Sequence, residues 1–212
     1  MNYKTIPFAI LLFTSMYLLS GCNNESGTTP APPADTAKTD DHKQHSMEMM
    51  QGMDAMMQRM NASKMTGDFD VDFANMMIEH HQGAINMSEM ELKQGADAQM
   101  KDMAQKIITA QIAEIAKMRA FVQAHPVTAT QQPMTMGNIQ MMHNQMKAMP
   151  MTGNVDKDFA VMMKIHHQSA MDMAREALNK GHHTDIKNMA QQMIADQQRE
   201  IIEFDAWLAK NK

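Results

Sequence analysis

The sequence predicts an all-α protein: a four-helix bundle made of two duplicated three-helix units, with two short Met-rich accessory helices. Three observations carry this. Apolar residues recur at helical spacing, while alternating β-branched runs and Asn-Gly hairpins are missing. The chain aligns with itself at an offset of 86 residues, Met65 falling on Met151. It also carries 30 Met and 10 His in 212 residues against a single Cys, more Met than gap-filling in an ordinary core requires.

The first 21 residues have the form of a targeting segment, with Lys4 ahead of an apolar run from Ile6 to Leu19 that is short for a membrane span. The run closes on Leu19-Ser20-Gly21-Cys22, which resembles the lipobox of bacterial lipoproteins and implies lipid attachment at Cys22. Residues 22–41, rich in Pro, Thr, Ala and Asp without periodicity, read as a disordered tether. Residues 42–212 are expected to form one helical domain, with repeat units at about 53–121 and 139–207. The expected location is the periplasmic side of the cell envelope, and Asn23 after the Cys favours the outer membrane.

In each unit a short Met-loaded helix comes first, at about 42–62 and 134–149. The second helix is expected to start behind Asp70 or Asp156, with Asp72 or Asp158 in the first turn, where a carboxylate suits the positive helix end. Gly95 and Gly181 suit its C-terminus. The third helix spans about 97–124 and 183–209, the earlier one stopped by Pro126. Two long antiparallel pairs then make the bundle.

At 100° per residue, Phe73, Met76, His80, Gly83, Ala84, Met87 and Met90 share one stripe of the second helix. His80 sits mid-stripe, four residues after Met76; His81 stands in the same relation to Met77. The second unit repeats the set as Met162, Met163, His166, His167 and Met173. On the third helices, Gln111 and Gln197 interrupt apolar stripes, and the facing histidines are their expected partners. Any one such Met or His fits a plain core role. The joint recurrence of Met-Met, His-His and a later Met in both units points instead to soft-metal ligation, thioether suiting Cu(I) and Ag(I) and imidazole extending the range to Cu(II).

The short helices add His42, His45, Met49 and His143 as further candidate ligands, among Met residues on several faces that cannot all be buried. That distribution implies either a metal-capturing surface or a docking surface. His182-His183 reads as an exposed loop pair, and His125 as an exposed helix-end residue. One Cys excludes a disulfide scaffold, a CxxC pair and a cysteine-ligated zinc or iron–sulfur site. A net charge of −5 argues against nucleic-acid binding.

The strings Met76-Met77-Ile78-Glu79-His80-His81-Gln82-Gly83-Ala84-Ile85-Asn86-Met87 and Met103-Ala104-Gln105, and their second copies, resemble the domain-of-unknown-function 305 family. The resemblance covers nearly all of residues 53–208. It implies a ferritin-like fold and a mostly periplasmic location, with copper and silver binding in some members. It places ligands on Met76, Met77, His80, His81, Met87 and Met103, and on Met162, Met163, His166, His167, Met173 and Met189. Family members often have Pro before the His pair, where this chain has Glu79 and Ile165, and Ser169 stands in the place of Gly83.

The function expected is that of a lipid-anchored copper and silver binder for sequestration, transfer or resistance. It would be no enzyme, since many weak ligands suit buffering better than catalysis. Its partners would be metal ions, the membrane through the lipid alone, and a metal-exporting or metal-accepting envelope protein. A Met-rich interaction module and a sacrificial oxidant scavenger are the alternatives, and oxygen-dependent Cu(I) turnover would reveal a cuprous oxidase.

Overall fold

The computed structural model describes residues 36–127 and 134–212, the side chains of 36–43 and 46 excepted. Cys22, the leader and the tether up to residue 35 lie outside the described residues, as does the side chain of His42. Six helices follow one another: α1 (Thr36–Ala62), α2 (Phe69–Gln94), α3 (Ala98–Ala124), α4 (Gly137–Ala148), α5 (Val155–Lys180) and α6 (Thr184–Lys210). Among the described residues there is no strand, and no helix is long and apolar enough to cross a membrane.

Three-residue connections force α2 back along α3 and α5 back along α6, and the two hairpins meet through α2 and α5. Helix α1 lies against α2 and reaches α4 and α5, while α4 covers α5. The two central helices are thereby wrapped on all sides. Only central positions of this kind allow a helix to be apolar around much of its circumference.

Helix α1 departs from the expected short accessory helix. It has 27 residues, as many as α3 and α6, and it begins at Thr36, inside the stretch expected to be disordered tether. Neither Pro nor Gly stands between Pro33 and Gly52, so a helix anchored by packing further along propagates back at little cost.

The expectation that the short helices display Met on exposed faces is also corrected. Met49, Met53, Met56, Met57 and Met60 are buried, and so are Met134, Met142 and Met146. At 100° per residue the five on α1 fall within an arc of about 100°, which a single broad contact covers. Among the described methionines only Met47 and Met141 are exposed. Most of the Met excess is therefore core.

The helix starts lie two residues earlier than expected. Asp68 caps α2, its carboxylate accepting from the N–H groups of Asp70 and Val71, and Asn154 caps α5. Asp70 and Asp156 are thereby freed to act across the bundle. Asp70 accepts the backbone N–H groups of His182 (2.9 Å) and His183 (3.0 Å) at the start of α6. Asp156 accepts those of Ala96 (3.0 Å) and Asp97 (2.9 Å) at the start of α3. Each unit thus closes the inter-helix turn of the other. Asp72 and Asp158 tie down the loops before their own helices, each taking the N–H and the hydroxyl of Thr66 or Thr152 and the N–H of Gly67 or Gly153. Those two glycines have φ of 83° and 77°, a left-handed conformation costly for a residue with a Cβ.

Gly95 and Gly181 do end their helices, but not in the left-handed conformation: φ is −63° at both. They are glycines because of crowding. A Cβ at Gly181 would lie 2.8 Å from the Asp70 carboxylate and 2.5 Å from the Ala177 carbonyl oxygen. At Gly95 it would strike the carboxyl of Glu91.

Two predictions follow from these carboxylates. Asp70→Ala leaves the partly buried N–H groups of His182 and His183 without that acceptor and is expected to cost about 2–4 kcal/mol in urea unfolding, charge-assisted hydrogen bonds being worth about 1.5–3 kcal/mol each. Burial, with Asp156 beside it, pushes Glu91 up from its ordinary 4.5 to about 8. The folded state therefore favours the protonated acid, and this contribution is present below pH 4.5 and lost as pH rises through about 8. Wild type should melt at lower temperature at pH 9 than at pH 6, by roughly 2–4 °C per kcal/mol lost, while Glu91→Gln should flatten the dependence.

Candidate metal centre

The packing of α2 against α5 brings the two His pairs together. His80 and His166 face each other with ring centroids 3.8 Å apart and planes tilted by 40°. His81 lies 6.5 Å from His80, and His167 lies 6.3 Å from His166. All four rings are buried.

Their hydrogen bonding separates an inner pair from an outer pair. His81 Nε2 is hydrogen-bonded to Glu114 Oε2 on α3 at 2.6 Å, whereas His167 Nε2 lies 2.7 Å from Glu200 Oε2 on α6 as an ion-pair contact without hydrogen-bond geometry. The expected partners, Gln111 and Gln197, do not fill this role; their amide oxygens have no hydrogen-bond partner. The carboxylates stand three residues further on, nearly one turn, and a Gln-x-x-Glu spacing at 111/114 and 197/200 is the sequence signal that was available. A carboxylate on one imidazole nitrogen fixes the tautomer and leaves the other nitrogen as a ligand. The Nδ1 atom of His81 has no hydrogen-bond partner, and neither ring nitrogen of His80, His166 or His167 has one.

Leaving such groups unpaired in a core costs about 1–3 kcal/mol each, so this cluster is placed against the interest of stability. Burial holds His80 and His166 well below the ordinary imidazole pKa, and the neighbouring histidines add to the effect. Both are neutral at physiological pH and present lone pairs rather than positive charge.

The surrounding donors are thioethers. Met76, Met77, Met162 and Met163 precede the His pairs by one turn, Met87 and Met173 follow them, and Met103 lies on α3; all are buried. Met56 of α1 belongs with them and was missed as a site residue. A Cβ on Gly83 would strike Met56 Sδ and lie 3.2 Å from His166 Nε2, so the absent side chain lets thioether and imidazole converge on one point. Its counterpart Ser169 has a buried hydroxyl with no partner. Among the described residues no three His, Cys, Asp or Glu side chains stand close enough together to hold a metal ion. An ion bound here draws on Met as well as His.

A groove of about 320 Å³ between α3 and α6 is lined by Met103, Ile107, Asp196, Arg199, Glu200 and Glu203 among others. It runs from solvent to Glu200, and hence to His167.

The remaining candidates stand apart. Met189, the repeat partner of Met103, is half-buried in a separate hollow beside Phe121 and His125. His143 hydrogen-bonds Asp54 at 2.6 Å, clipping α4 to α1 and holding the Asp54 carboxyl below its usual range. Half-buried His45 lies 3.8 Å from Glu48, and Met49 packs in the core.

An all-helical duplicated bundle with a buried His and Met cluster defines the class, and the comparisons identify the family. Domain of unknown function (DUF305) matches residues 18–122 and 123–208, and the chain belongs to that family. CopM in its Cu(II)-bound form is 28% identical, with a TM-score of 0.54 over 68% of this chain and 98% of CopM. The Cu(I)-bound form of CopM gives the same identity and a TM-score of 0.52, over 67% and 96%. A putative secreted DUF305 protein from Streptomyces coelicolor, 21% identical with a TM-score of 0.54 over 68% and 94%, shares the fold. No curated protein matches the chain.

Gly83→Ala is expected to expel Met56 from the cluster and cost about 1–3 kcal/mol, measured by urea unfolding. Ser169→Ala, which removes an orphaned hydroxyl, should be neutral or stabilising.

Proposed function

We propose that this chain is a lipid-anchored envelope protein that binds Cu(I) and Ag(I) at the α2–α5 histidine cluster and sequesters the ion or hands it on. The observation that carries this reading is the facing pair His80 and His166, buried, neutral imidazoles whose ring nitrogens have no protein partner inside a thioether-lined core. Soft thioether and borderline imidazole donors match monovalent copper and silver. CopM, similar in sequence and fold, has Cu(I)-, Cu(II)- and Ag-bound forms, which supports the same cargo here.

Glu114 and Glu200 orient the outer histidines, and the α3–α6 groove gives the ion a way in past Glu200. Met ligands are individually weak, so the ion exchanges readily, which suits buffering and transfer better than turnover. The lipobox at Cys22 supports an anchor to the membrane. Only Met47 and Met141 among the described methionines are exposed, which weakens the case for an interaction surface or an oxidant scavenger.

Native mass spectrometry of the protein with Ag(I) or Cu(I), in a non-coordinating buffer, tests the proposal. Tight binding by wild type is expected, with loss when His80, His81, His166 and His167 are all changed to Ala. Circular dichroism shows whether that variant keeps its helices. Unchanged binding by a folded variant would overturn the assignment.

A further inference from the structure

At the far end of the α3–α6 pair, His125 closes α3 and His183 opens α6. Their ring centroids are 4.4 Å apart, with planes at 76°. Phe121 stacks on His125 at 3.9 Å and meets His183 edge-on at 5.4 Å. His125 Nδ1 lies 2.9 Å from the Phe121 carbonyl oxygen, to which it donates its proton. The tautomer is fixed with Nε2 bare, the arrangement typical of a metal-ligating imidazole. Beside His125, a hollow of about 460 Å³ is lined by Met189, Asp185, Asn188, Phe121 and Lys117. A thioether and a carboxylate thus share that hollow with the His125 ring.

The internal repeat supplies a comparison. At the opposite end of the bundle, the equivalents of Phe121, His125 and His183 are Trp207, Asn211 and Asp97, which line one hollow. There each polar side chain serves its helix: Asp97 caps α3 through the N–H groups of Gln99 and Met100, and Asn211 Nδ2 donates to the Trp207 carbonyl. His183 occupies the N-cap position of α6 and makes no side-chain cap. One end keeps its helix cap, and the other gives it up for an imidazole set against a second imidazole.

We propose that His125 and His183 form a second, solvent-facing metal site, with the Met189 thioether beside it, for Cu(II) and other late first-row divalent cations. Two imidazoles bound side by side to one ion, at a metal–nitrogen distance of about 2.0 Å, place their ring centres roughly 4.5–5 Å apart. The observed 4.4 Å lies at the short edge of that range. Two imidazoles with open water positions suit a divalent ion, whereas the buried Met-rich cluster suits a monovalent one. The surface site stands independently of the core site.

The test is a Cu(II) titration of the full chain, read by the nitrogen couplings in its EPR spectrum and by 13C-methyl NMR of the methionines. Wild type should take up one Cu(II) with two nitrogen ligands, and the Met189 methyl should broaden before those of Met76 or Met162. The double variant His125→Asn, His183→Asn restores helix-capping side chains and so keeps the fold. It should weaken that Cu(II) by about 100-fold or more and abolish the early broadening. The variant lacking the four core histidines should retain both signals, so failure of the core site reads out separately as lost Ag(I) binding. An unchanged Cu(II) spectrum in the double variant would overturn the proposal, and a lowered melting temperature with Cu(II) uptake intact would make the pair an aromatic clasp only.

Discussion

Two carboxylates set the geometry on which everything else depends. Asp70 and Asp156 each stand in the first turn of a central helix and accept backbone N–H groups from the turn of the opposite unit. The exchange is reciprocal, so α2 and α5 cannot slide along each other without breaking charge-assisted hydrogen bonds at both ends. That register is what sets His80 opposite His166. A shift of one turn, about 5.4 Å, would face each imidazole with methionine (Met162, Met76) in one direction or alanine (Ala170, Ala84) in the other.

Within this frame the core is built for adaptability rather than for a single tight packing. Methionine has three rotatable bonds and a polarisable sulfur, and it fills irregular space at low cost in strain. A core of this kind can readjust around an ion without refolding. The unpaired imidazole nitrogens are its most expensive feature, and they lie at the mid-plane of the bundle, where wrapping helices exclude water. Glu114 and Glu200 reach in from the flanking helices and hold the outer rings, so the four histidines are two oriented from outside and two left open.

Much of this was legible in the sequence. Helical periodicity and the repeat determine the bundle, and the position of His80 in the middle of an apolar stripe announces its burial. What escaped depends on contacts between distant segments. In Asp68-Phe69-Asp70-Val71-Asp72 three acids compete for one cap, and only the docked opposite unit shows that Asp70 is used elsewhere. Gln111 and Glu114 lie on neighbouring sides of α3, and which of them meets His81 depends on a helix rotation that periodicity leaves loose. Met56 looked like surface because the neighbours that cover α1 come from segments as remote as α5. His125 and His183 are far apart in the chain, and only the closing of two hairpins brings them together.

The duplication lies within one chain rather than between two copies of a shorter one, and this matters for the two ends of the bundle. In a homodimer of single units, symmetry would impose every substitution on both ends at once, so a histidine replacing a helix cap would remove that cap twice. Covalent fusion breaks this link. Asp97 and Asn211 can go on stabilising one pole while His183 and His125 diverge at the other, and Gly83 can give Met56 room that a Cβ would deny it. The two ends of the bundle thus differ although the helix pairs α2–α3 and α5–α6 match in length, a licence to specialise that gene duplication provides and oligomerisation does not.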